Sequence, residues 1–441
     1  MSIYAKDYLK QSLQDHKLGR LKQKRIEIEK YLDFYTGTSI GQYIEPYFDT
    51  QSFQEVPVYE ANVTKKFINK LSRIYTLGSK RNVNEAYDVL TQKKDSVFKH
   101  LERMTRLLGT LAVNISFDES LGFSYKPIYY FIPFFEDDAL TPIAISYPLL
   151  PAYDDPSEYS NELFAYWDDE YYIEYNGDGV VIKETFHGLG KLPFVFLHRE
   201  HQIDSFFVEG AMDIINCNQH VNITLTELQL GLRFQMFGQP YATGVPDAGS
   251  MTRGGTDATI VLPEGATYGI ASPAGNVMDT IQALKFQLEL VALSNHLYIQ
   301  FAQDGGETPS GLALQIKDLE AIEDLKDDIE LWRIYEYNFF EIEKLLSEQQ
   351  GVSLGNDFGV DFIEMEYPTS IQEQIMRDDW DLANGQTTLA KIMVRNNRDL
   401  SLEEAEAIID GNLASTMIKS EESCSTCEIE EEIDMEEEID G

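Results

Sequence analysis

The chain of 441 residues is long enough for two to four packed units. Hydrophobic residues make up 43% of it and charged residues 25%, which is ordinary for a globular protein and excludes wholesale disorder. Three cysteines cannot build a disulfide framework, and the longest apolar run, residues 128–135, is too short to span a bilayer. Residues 1–7 lack the apolar core of a signal peptide, so we expect a protein made in a cytoplasm.

The net charge of −40 is unusual, and it is unevenly distributed. Residues 1–110 contain 19 Lys and Arg against 13 Asp and Glu, a net charge of +6, so the rest of the chain carries −46. Such an acidic surface repels the phosphates of DNA, which disfavours sequence-specific DNA binding. Two interpretations stay open: the charge keeps the protein soluble, or it lets nucleic acid pass without being held.

Amphipathic helices are predicted before residue 110. Apolar residues recur at helical spacing over residues 4–35, 62–75 and 97–108. Gly37 and Gly109 follow the first and third of these segments, and glycine relieves the left-handed turn that ends many helices.

From Leu111 onward, apolar and polar residues alternate as they do in strands. We predict one antiparallel sheet over residues 111–198. Asn176-Gly177 tolerates positive φ angles and predicts a hairpin. The predicted strands are residues 111–117, 128–135, 143–147, 163–167, 171–175, 180–182 and 194–197.

Two helices separated by a loop and a small hairpin are predicted next. The helices cover residues 208–237 and 276–300. Residues 239–257 are rich in Gly, Pro, Ser and Thr, which is typical of a loop, and strands at 258–262 and 266–270 flank a Pro-Glu-Gly turn. The second helix carries two apolar stripes, so we expect it to be buried on two sides. The stripes are Ile281, Leu284, Leu288 and Val291, and Phe286, Leu290, Leu293 and Leu297.

The rest of the chain is predicted to be mainly helical. Residues 301–309 form a Gly-broken loop, and the longest helix then extends to about residue 347. A strand is predicted at residues 362–367, followed by helices over 369–420. Residues 421–441 contain no Lys or Arg and fit a solvated tail. Breaks in the last helical region are predicted at Asn384-Gly385 and Asn396-Asn397, and a capping box at Ser401 and Glu404.

No nucleophile paired with a base stands out, and we predict a protein that is not an enzyme and has no catalytic residue, cofactor or metal. Residues 188–192 contain Gly-Leu-Gly-Lys but lack the Ser or Thr of a phosphate-binding loop, which favours a plain loop before a strand. His198 and His201 have no third metal ligand beside them, which favours a solvated loop leaving that strand.

The remaining polar groups also have structural interpretations. Cys424 and Cys427 have the spacing of a zinc or redox pair, but no second pair accompanies them. Cys217 fits a small core residue. A run of carboxylates on the longest helix fits a solvated face. These carboxylates belong to Asp318, Glu320, Glu323, Asp324, Asp327 and Asp328.

The order of the predicted elements resembles that of the portal proteins of tailed bacteriophages over about residues 1–420. Local sequences are similar as well: a helix ending in Tyr-Thr-Gly at residues 35–37, a helix beginning at Asn62, and Thr-Pro-Ser-Gly-Leu-Ala-Leu at 308–314. Tyr367-Pro368 before a helix and Gly-Gln-Thr-Thr at 385–388 also resemble that family.

The resemblance implies an α+β portal-like fold with a wing of helices and antiparallel sheet, a two-helix stem, a small α/β clip and a helical crown. The implied regions are the N-terminal wing at 1–207, stem helices at 208–237 and 276–300, the clip at 238–275, the tunnel loop at 301–309, the long helix and strand of the wing at 310–367, the crown at 368–420 and the acidic tail at 421–441.

The resemblance also implies a homo-oligomeric ring, expected to be twelve-fold, at one capsid vertex of the virion, assembled in the host cytoplasm. The ring would conduct double-stranded DNA during packaging and ejection. Its implied partners are the terminase motor, the head–tail adaptor, the major capsid protein and the scaffold. The implied DNA-facing residues are Gln303, Asp304, Gly305, Gly306, Glu307 and Thr308, and the implied clip contacts are Thr259, Val261, Glu264, Thr267 and Tyr268.

Two other interpretations stay open. The clustered carboxylates could serve an acidic, magnesium-dependent nuclease or another enzyme of DNA packaging. The acidity could also belong to a structural protein that mimics the charge of DNA.

Overall fold

The computed structural model describes residues 8–12, 14–15, 19–48, 57–118, 121–149, 163–237, 239–244, 265–271, 277–299, 319–362, 371–397 and 400–412. Within these residues the chain is a mixed α+β protein with helices and antiparallel sheets, as predicted. It divides into two compact units, one formed by Met1–Gly306 with Lys317–Met365 and the other by Glu307–Ile316 with Glu366–Gly441.

The first unit contains the described strands and most of the described helices. Helices α1 to α8 are Gly19–Thr36, Gly41–Ile44, Thr64–Leu71, Glu85–Leu90, Lys94–Leu108, Met212–Phe237, Val277–Ser294 and Leu319–Gln349, and a 3-10 helix, Glu45–Tyr47, follows α2. Strands β1 to β12 are Ser79–Asn82, Thr110–Asp118, Gly122–Ile128, Ile132–Phe134, Ala144–Pro148, Leu163–Trp167, Tyr171–Asn176, Val181–Phe186, Phe194–His198, Gln239–Thr243, Thr267–Ala271 and Gly359–Phe362.

The described residues between 111 and 198 form two antiparallel sheets, so the prediction of one sheet is wrong. β2 lies at the centre of a three-stranded sheet in the order β3-β2-β9, and β4 to β8 form a separate five-stranded sheet in chain order. Residues 129–131 between β3 and β4 leave the strand conformation, which ends the first ladder. The predicted hairpin at Asn176-Gly177 is confirmed, since β7 pairs with β8.

The first half of β2 and the adjoining β9 are buried on both faces of the three-stranded sheet, whereas β3 exposes Ser124 and Lys126. Leu111, Val113 and Leu197 face the main core, which also contains apolar residues of α5 and α8. Ala112 and Phe194 belong to another cluster with residues of the five-stranded sheet. The far side of the five-stranded sheet is covered by the helical residues 8–12, whose Leu9 is buried there.

Helix α5 lies at the centre of the main core, with Phe98, Leu101 and Leu107 fully buried. It begins at Lys94 rather than at residue 97 and ends before Gly109 as predicted. The φ angle of Gly109 is +79°, and a Cβ there would lie 2.2 Å from the backbone oxygen of Val208. The position therefore requires glycine.

Helix α3 is shorter than the helix predicted over residues 62–75, because it ends at Leu71. Ile74 and Tyr75 are buried in the following turn. Their backbone N–H groups donate to the carboxylate of Glu102, at 3.1 and 3.4 Å. In a continued helix these N–H groups would donate to backbone carbonyls four residues earlier. The side chain of Glu102 on α5 accepts them instead, so a contact distant in the chain overrides the helical pattern.

The strand predicted at residues 362–367 begins earlier, at Gly359, and residues 363–367 lie outside the described part of the chain. It pairs with β1, with Ser79 opposite Phe362. Neither β1 nor α4 was predicted, since Ser-Lys-Arg-Asn has no apolar alternation and α4 spans less than two helical turns.

The second unit contains helices α9, Ile371–Ala383, α10, Leu389–Asn396, and residues 402–412, which are also helical. The predicted breaks after Ala383 and Asn396 are confirmed. The predicted capping box is confirmed too: Ser401 N–H donates to Glu404 Oε2 at 3.0 Å, and Glu404 N–H donates to Ser401 Oγ at 3.3 Å.

Candidate functional site

Helices α6 and α7 pack side by side and form the central feature of the candidate site. Their shared core contains Cys217, Val221 and Leu284, supported by partly buried Leu288 and Val291. Because the beginning of α6 contacts the end of α7, the two helices are antiparallel. Cys217 is buried as predicted. Helix α6, Met212–Phe237, ends at the predicted residue, and α7, Val277–Ser294, begins one residue after its predicted start.

A polar ladder that the sequence analysis missed fixes the first half of α6. Asn222 accepts the N–H of Ala61 at 2.6 Å and donates to the carbonyl of the same residue at 3.0 Å. Thr226 Oγ1 accepts the N–H of Tyr59 at 3.0 Å, and the amide of Asn218 lies 2.8 Å from Thr64 Oγ1. The signal was present in the sequence, as three small polar residues at a spacing of one helical turn.

The outer face of α7 remains exposed in the single chain. The first predicted stripe packs against α6, with Leu284 buried. The second stripe does not pack: Phe286 is 65% exposed, Leu290 53% and Leu293 65%. Leu232 and Met236 near the end of α6 are exposed as well. We call Leu232, Met236, Met278, Phe286, Leu290 and Leu293 the outer apolar face.

A two-stranded sheet connects the far ends of α6 and α7. Residues 239–243 form β10, which corrects their assignment to a loop, and Pro240 lies opposite Ile270. A two-stranded sheet has only edge strands, which is where proline is tolerated. β11 pairs with β10 in antiparallel register. The predicted hairpin around residues 263–265 stays a prediction, because 258–262 lie outside the described residues.

Two of the implied clip contacts lie on β11. Thr267 and Tyr268 are both exposed, and Thr267 Oγ1 lies 2.5 Å from Thr243 Oγ1 on β10. The ring of Tyr241 crosses Gly269, where a Cβ would lie 2.5 Å from Tyr241 Cζ. The other implied clip contacts, Thr259, Val261 and Glu264, lie outside the described residues.

Helix α7 ends at Ser294, before the predicted end at residue 300, because His296 adopts a left-handed φ of +51°. Leu297 therefore leaves the second stripe and is buried in the main core. Nδ1 of His296 lies 2.5 Å from Oδ2 of Asp324 on α8. The implied tunnel-loop residues that follow, Gln303, Asp304, Gly305, Gly306, Glu307 and Thr308, all lie outside the described residues.

The acidic run at the beginning of α8 is only partly a solvated stripe. Glu323 and Asp327 are exposed as predicted, whereas Asp324 contacts His296 and Asp328 forms an ion pair with Arg106. Burial, followed by the nearby charge of Arg199, lowers the pKa of Arg106 to about 10. The spacing of residues along α8 could not indicate these contacts, because Arg106 and His296 belong to other parts of the chain. Asp318 lies outside the described residues, and the burial of Glu320 is not described.

The assignment of His198 to a solvated loop is wrong. His198 is the last residue of β9 and only 4% exposed. Its Nδ1 lies 3.3 Å from Thr110 Oγ1, and its backbone N–H donates to the hydroxyl of Tyr335 at 2.9 Å. Burial lowers its pKa to about 4. His201 is exposed, as predicted.

A buried ionic network around α8 was missed entirely. Lys94 contacts both Glu336 and Glu343, and Arg81 contacts Glu336; the side chains of Lys94 and both glutamates are fully buried. Burial alone would raise the pKa of Glu336, but the charges of Lys94 and Arg81 hold it below its ordinary value. The two glutamates lie two helical turns apart on the apolar side of α8.

The described residues offer no metal-binding constellation. No three His, Cys, Asp or Glu side chains among them could hold a metal ion together. Residues 187–193 form a loop between β8 and β9, as predicted for the Gly-Leu-Gly-Lys segment. Cys424 and Cys427 lie outside the part of the chain that is described. No described helix is both long enough and apolar enough to cross a membrane.

Comparisons with protein-family models and with curated proteins found no match for this chain.

Proposed function

We propose that this protein is the portal protein of a tailed double-stranded-DNA bacteriophage. Identical subunits would form a ring at one capsid vertex and provide the channel for DNA packaging and ejection. The ring would also bind the terminase motor and the tail connector. The observation that carries this proposal is the outer apolar face of α6 and α7, which a single chain leaves in contact with water.

The outer apolar face fits an apolar surface on a neighbouring copy of the same chain. A full burial of each Phe or Leu side chain stabilises by about 1.5–3 kcal/mol, so the exposed Phe286, Leu290 and Leu293 represent a strong tendency to associate. Exposed apolar patches of this kind mark interaction surfaces. In a closed ring every subunit has two neighbours, and a helix pair between them can be covered on both sides.

The charge of the protein supports a channel that does not hold DNA. The net charge of −40 repels phosphates, so the protein would displace few of the counterions that surround duplex DNA. The DNA would therefore stay mobile in the channel. The proposal assigns the DNA-facing role to residues 303–308, with Asp304 and Glu307 as the charged members.

Reversing both charges with Asp304→Lys and Glu307→Lys is expected to slow packaging, whereas Asp178→Lys with Asp357→Lys is the matched control. Unchanged filling in the first double variant contradicts this assignment.

The proposed regions follow the described elements. Within the first unit, α6 and α7 would form the stem and the β10–β11 sheet part of the clip, where Thr267 and Tyr268 would contact the motor or adaptor. The other helices and sheets of that unit would form the wing. The helices of the second unit would form the crown inside the capsid.

The oligomeric state tests the proposal directly. Light scattering and negative-stain microscopy of the purified full chain are expected to reveal a single ring species with a mass that is a whole multiple of the subunit mass. Phe286→Asp with Leu290→Asp is expected to abolish it. Val89→Asp with Ile203→Asp, two similarly exposed positions elsewhere, is the control and should retain the ring. If the wild-type protein is a monomer, the proposal is wrong. If the ring survives in the first double variant, the outer apolar face is not the interface between subunits.

The same preparation separates the other interpretations. Magnesium-dependent cutting of DNA by the purified protein favours the nuclease. A monomer that binds basic proteins favours the DNA mimic.

A further inference from the structure

A cleft of about 880 Å³ lies in the first unit, away from α6 and α7. Its walls come from β9, the ends of β5 and β6, the connection between β4 and β5, and the middle of α8. The volume is within the range of sites that enclose a ligand or a short peptide segment.

The floor of the cleft is apolar. Phe194, Phe196 and Phe206 contribute aromatic rings, and α8 contributes Leu331 and Ile334. Ile334 is 50% exposed, and Asn338, one helical turn later, is exposed as well, whereas the neighbouring Leu331 is buried. An apolar floor that remains partly open to water gains free energy when an apolar side chain covers it.

The rim of the cleft is negative. Glu136, Asp169 and Glu170 are exposed at its edge, and Asp168 lines it as well. Among the described lining residues, Lys191 is the single Lys or Arg. His198 in the wall adds no charge at neutral pH, since burial lowers its pKa to about 4. The cleft thus combines an apolar floor with an excess of carboxylates at the rim.

The walls are held in place by hydrogen bonds within the chain. The hydroxyl of Tyr335 on α8 accepts the N–H of His198 at 2.9 Å and donates to its carbonyl at 3.2 Å, which ties α8 to β9. Asp168 Oδ1 accepts the N–H groups of Glu170 and Tyr171 at 3.0 and 2.6 Å, which fixes the acidic turn after β6. A preformed site loses less conformational entropy when it binds a partner.

We propose that this cleft docks an apolar segment of a partner protein that carries Lys or Arg side chains at its edges. The apolar side chains would lie against Phe196, Phe206 and Ile334, and the cations would face the rim carboxylates. Charge complementarity favours this occupant over a nucleic acid or an acidic peptide, because phosphates and carboxylates would be repelled at the same rim.

The test uses the purified full chain in its natural oligomeric state and a fluorescent synthetic peptide of Leu and Lys at helical spacing. A second peptide with Glu in place of Lys is the control for sequence-independent apolar binding. We expect anisotropy to report binding of the Lys peptide and little binding of the Glu peptide, and we expect the affinity to fall with added salt. Equal binding of both peptides, or tighter binding of the Glu peptide, overturns the proposed occupant.

Variants locate the binding. Glu136→Lys, Asp169→Lys and Glu170→Lys together are expected to weaken binding of the Lys peptide by about tenfold or more. Asp178→Lys with Asp357→Lys changes two exposed carboxylates elsewhere and controls for the general acidity of the protein. Equal losses in the two sets would mean that the peptide binds the acidic surface at large, and the proposal would be wrong.

The floor has its own test. Ile334→Ala is expected to weaken binding, while Val89→Ala, an exposed apolar position on α4, is expected not to. A peptide with a photoreactive group should cross-link to residues that line the cleft. Cross-links confined to other surfaces would overturn the assignment of the site.

Discussion

Nζ of Lys94 on α5 lies 2.7 Å from Oε1 of Glu343 on α8, and both side chains are fully buried. The same ammonium group lies 3.3 Å from Oε2 of Glu336. The hydroxyls of Tyr87 and Tyr125 donate to the two oxygens of Glu343, at 2.7 and 2.6 Å. The charges are therefore compensated and the carboxylate oxygens are hydrogen-bonded, which is the condition under which a buried ion pair is tolerated.

Removal of Lys94 alone is expected to destabilise the first unit strongly. Lys94→Met leaves Glu343 buried without a counterion, which typically costs about 3–5 kcal/mol. Adding Glu343→Gln should recover part of that loss, since the uncompensated charge disappears. Urea unfolding at fixed protein concentration measures both effects.

The matched control for this pair lies at the surface. Lys183 and Glu174 are 3.4 Å apart, and Lys183 is mostly exposed. Lys183→Ala should cost less than about 1 kcal/mol, because solvent screens the pair. If Lys94→Met is no more harmful than Lys183→Ala, the buried network does not stabilise the fold.

Stability is expected to fall as the pH decreases from 6.5 towards 4 because of His198. Its pKa is lowered from 6.5 to about 4 in the folded protein, so the unfolded chain binds the proton more readily over this interval. The contribution is present above pH 6.5 and lost below pH 4, with a total of about 3 kcal/mol. The difference in melting temperature between wild type and His198→Asn should therefore depend on pH. Parallel curves for the two proteins would show that His198 does not titrate in this way.

Glu102 is expected to act in the opposite direction. Burial raises its pKa from 4.5 to about 7, against the hydrogen bonds from backbone N–H groups. The folded protein binds the proton more tightly, so the contribution is present below pH 4.5 and lost as the pH rises through 7, by about 3 kcal/mol in total. The stability of Glu102→Gln relative to wild type should increase over this interval in chemical denaturation. Glu348→Gln, at an exposed position, should show no such trend, and a flat response in Glu102→Gln would contradict the assignment.

Replacing Gly109 is expected to destabilise the junction of α5 and β2. Gly109→Ala introduces a Cβ 2.2 Å from the oxygen of Val208 at a φ of +79°, so the backbone must move. We expect a loss of at least about 2 kcal/mol. Gly190→Ala is the control, because φ there is +64° and no atom lies within 4 Å of the added Cβ; it should cost about 1 kcal/mol. Similar melting temperatures for the two variants would show that the junction relaxes without cost.

The sequence predicted local elements well where periodicity is strong. The strand predicted at residues 163–167 coincides with β6, and the helix breaks after Ala383 and Asn396 are correct. Partners were not predictable, because alternation identifies a strand but not the strand beside it. The sequence therefore predicts one sheet over residues 111–198 where the structure has two. At residues 239–243 the prediction of a loop is wrong for another reason, since the Gly, Pro, Ser and Thr content of 239–257 conceals a short edge strand.

The sequence also failed to predict which polar side chains are buried. Glu336, Glu343 and His198 are hydrophilic by type, and their partners lie far away in the chain, so nothing local indicated that they are buried. For the candidate site, the two helices were predicted, but the expected burial of α7 on two sides is wrong for the single chain. Its first stripe packs against α6, whereas Phe286, Leu290 and Leu293 of the second are exposed. Only coordinates could reveal that one stripe faces α6 and the other faces water.

The separation of Lys94 and Glu343 by 249 positions constrains how the protein is made. When Lys94 leaves the ribosome, the carboxylates that balance its charge have not been synthesised. The nascent chain must therefore keep α5 hydrated until α8 emerges, and the core that α5 and α8 share closes only after translation has passed this helix. A fragment that ends before α8 would have to bury an ammonium group without a counterion, so premature termination yields a chain that chaperones or proteases must handle.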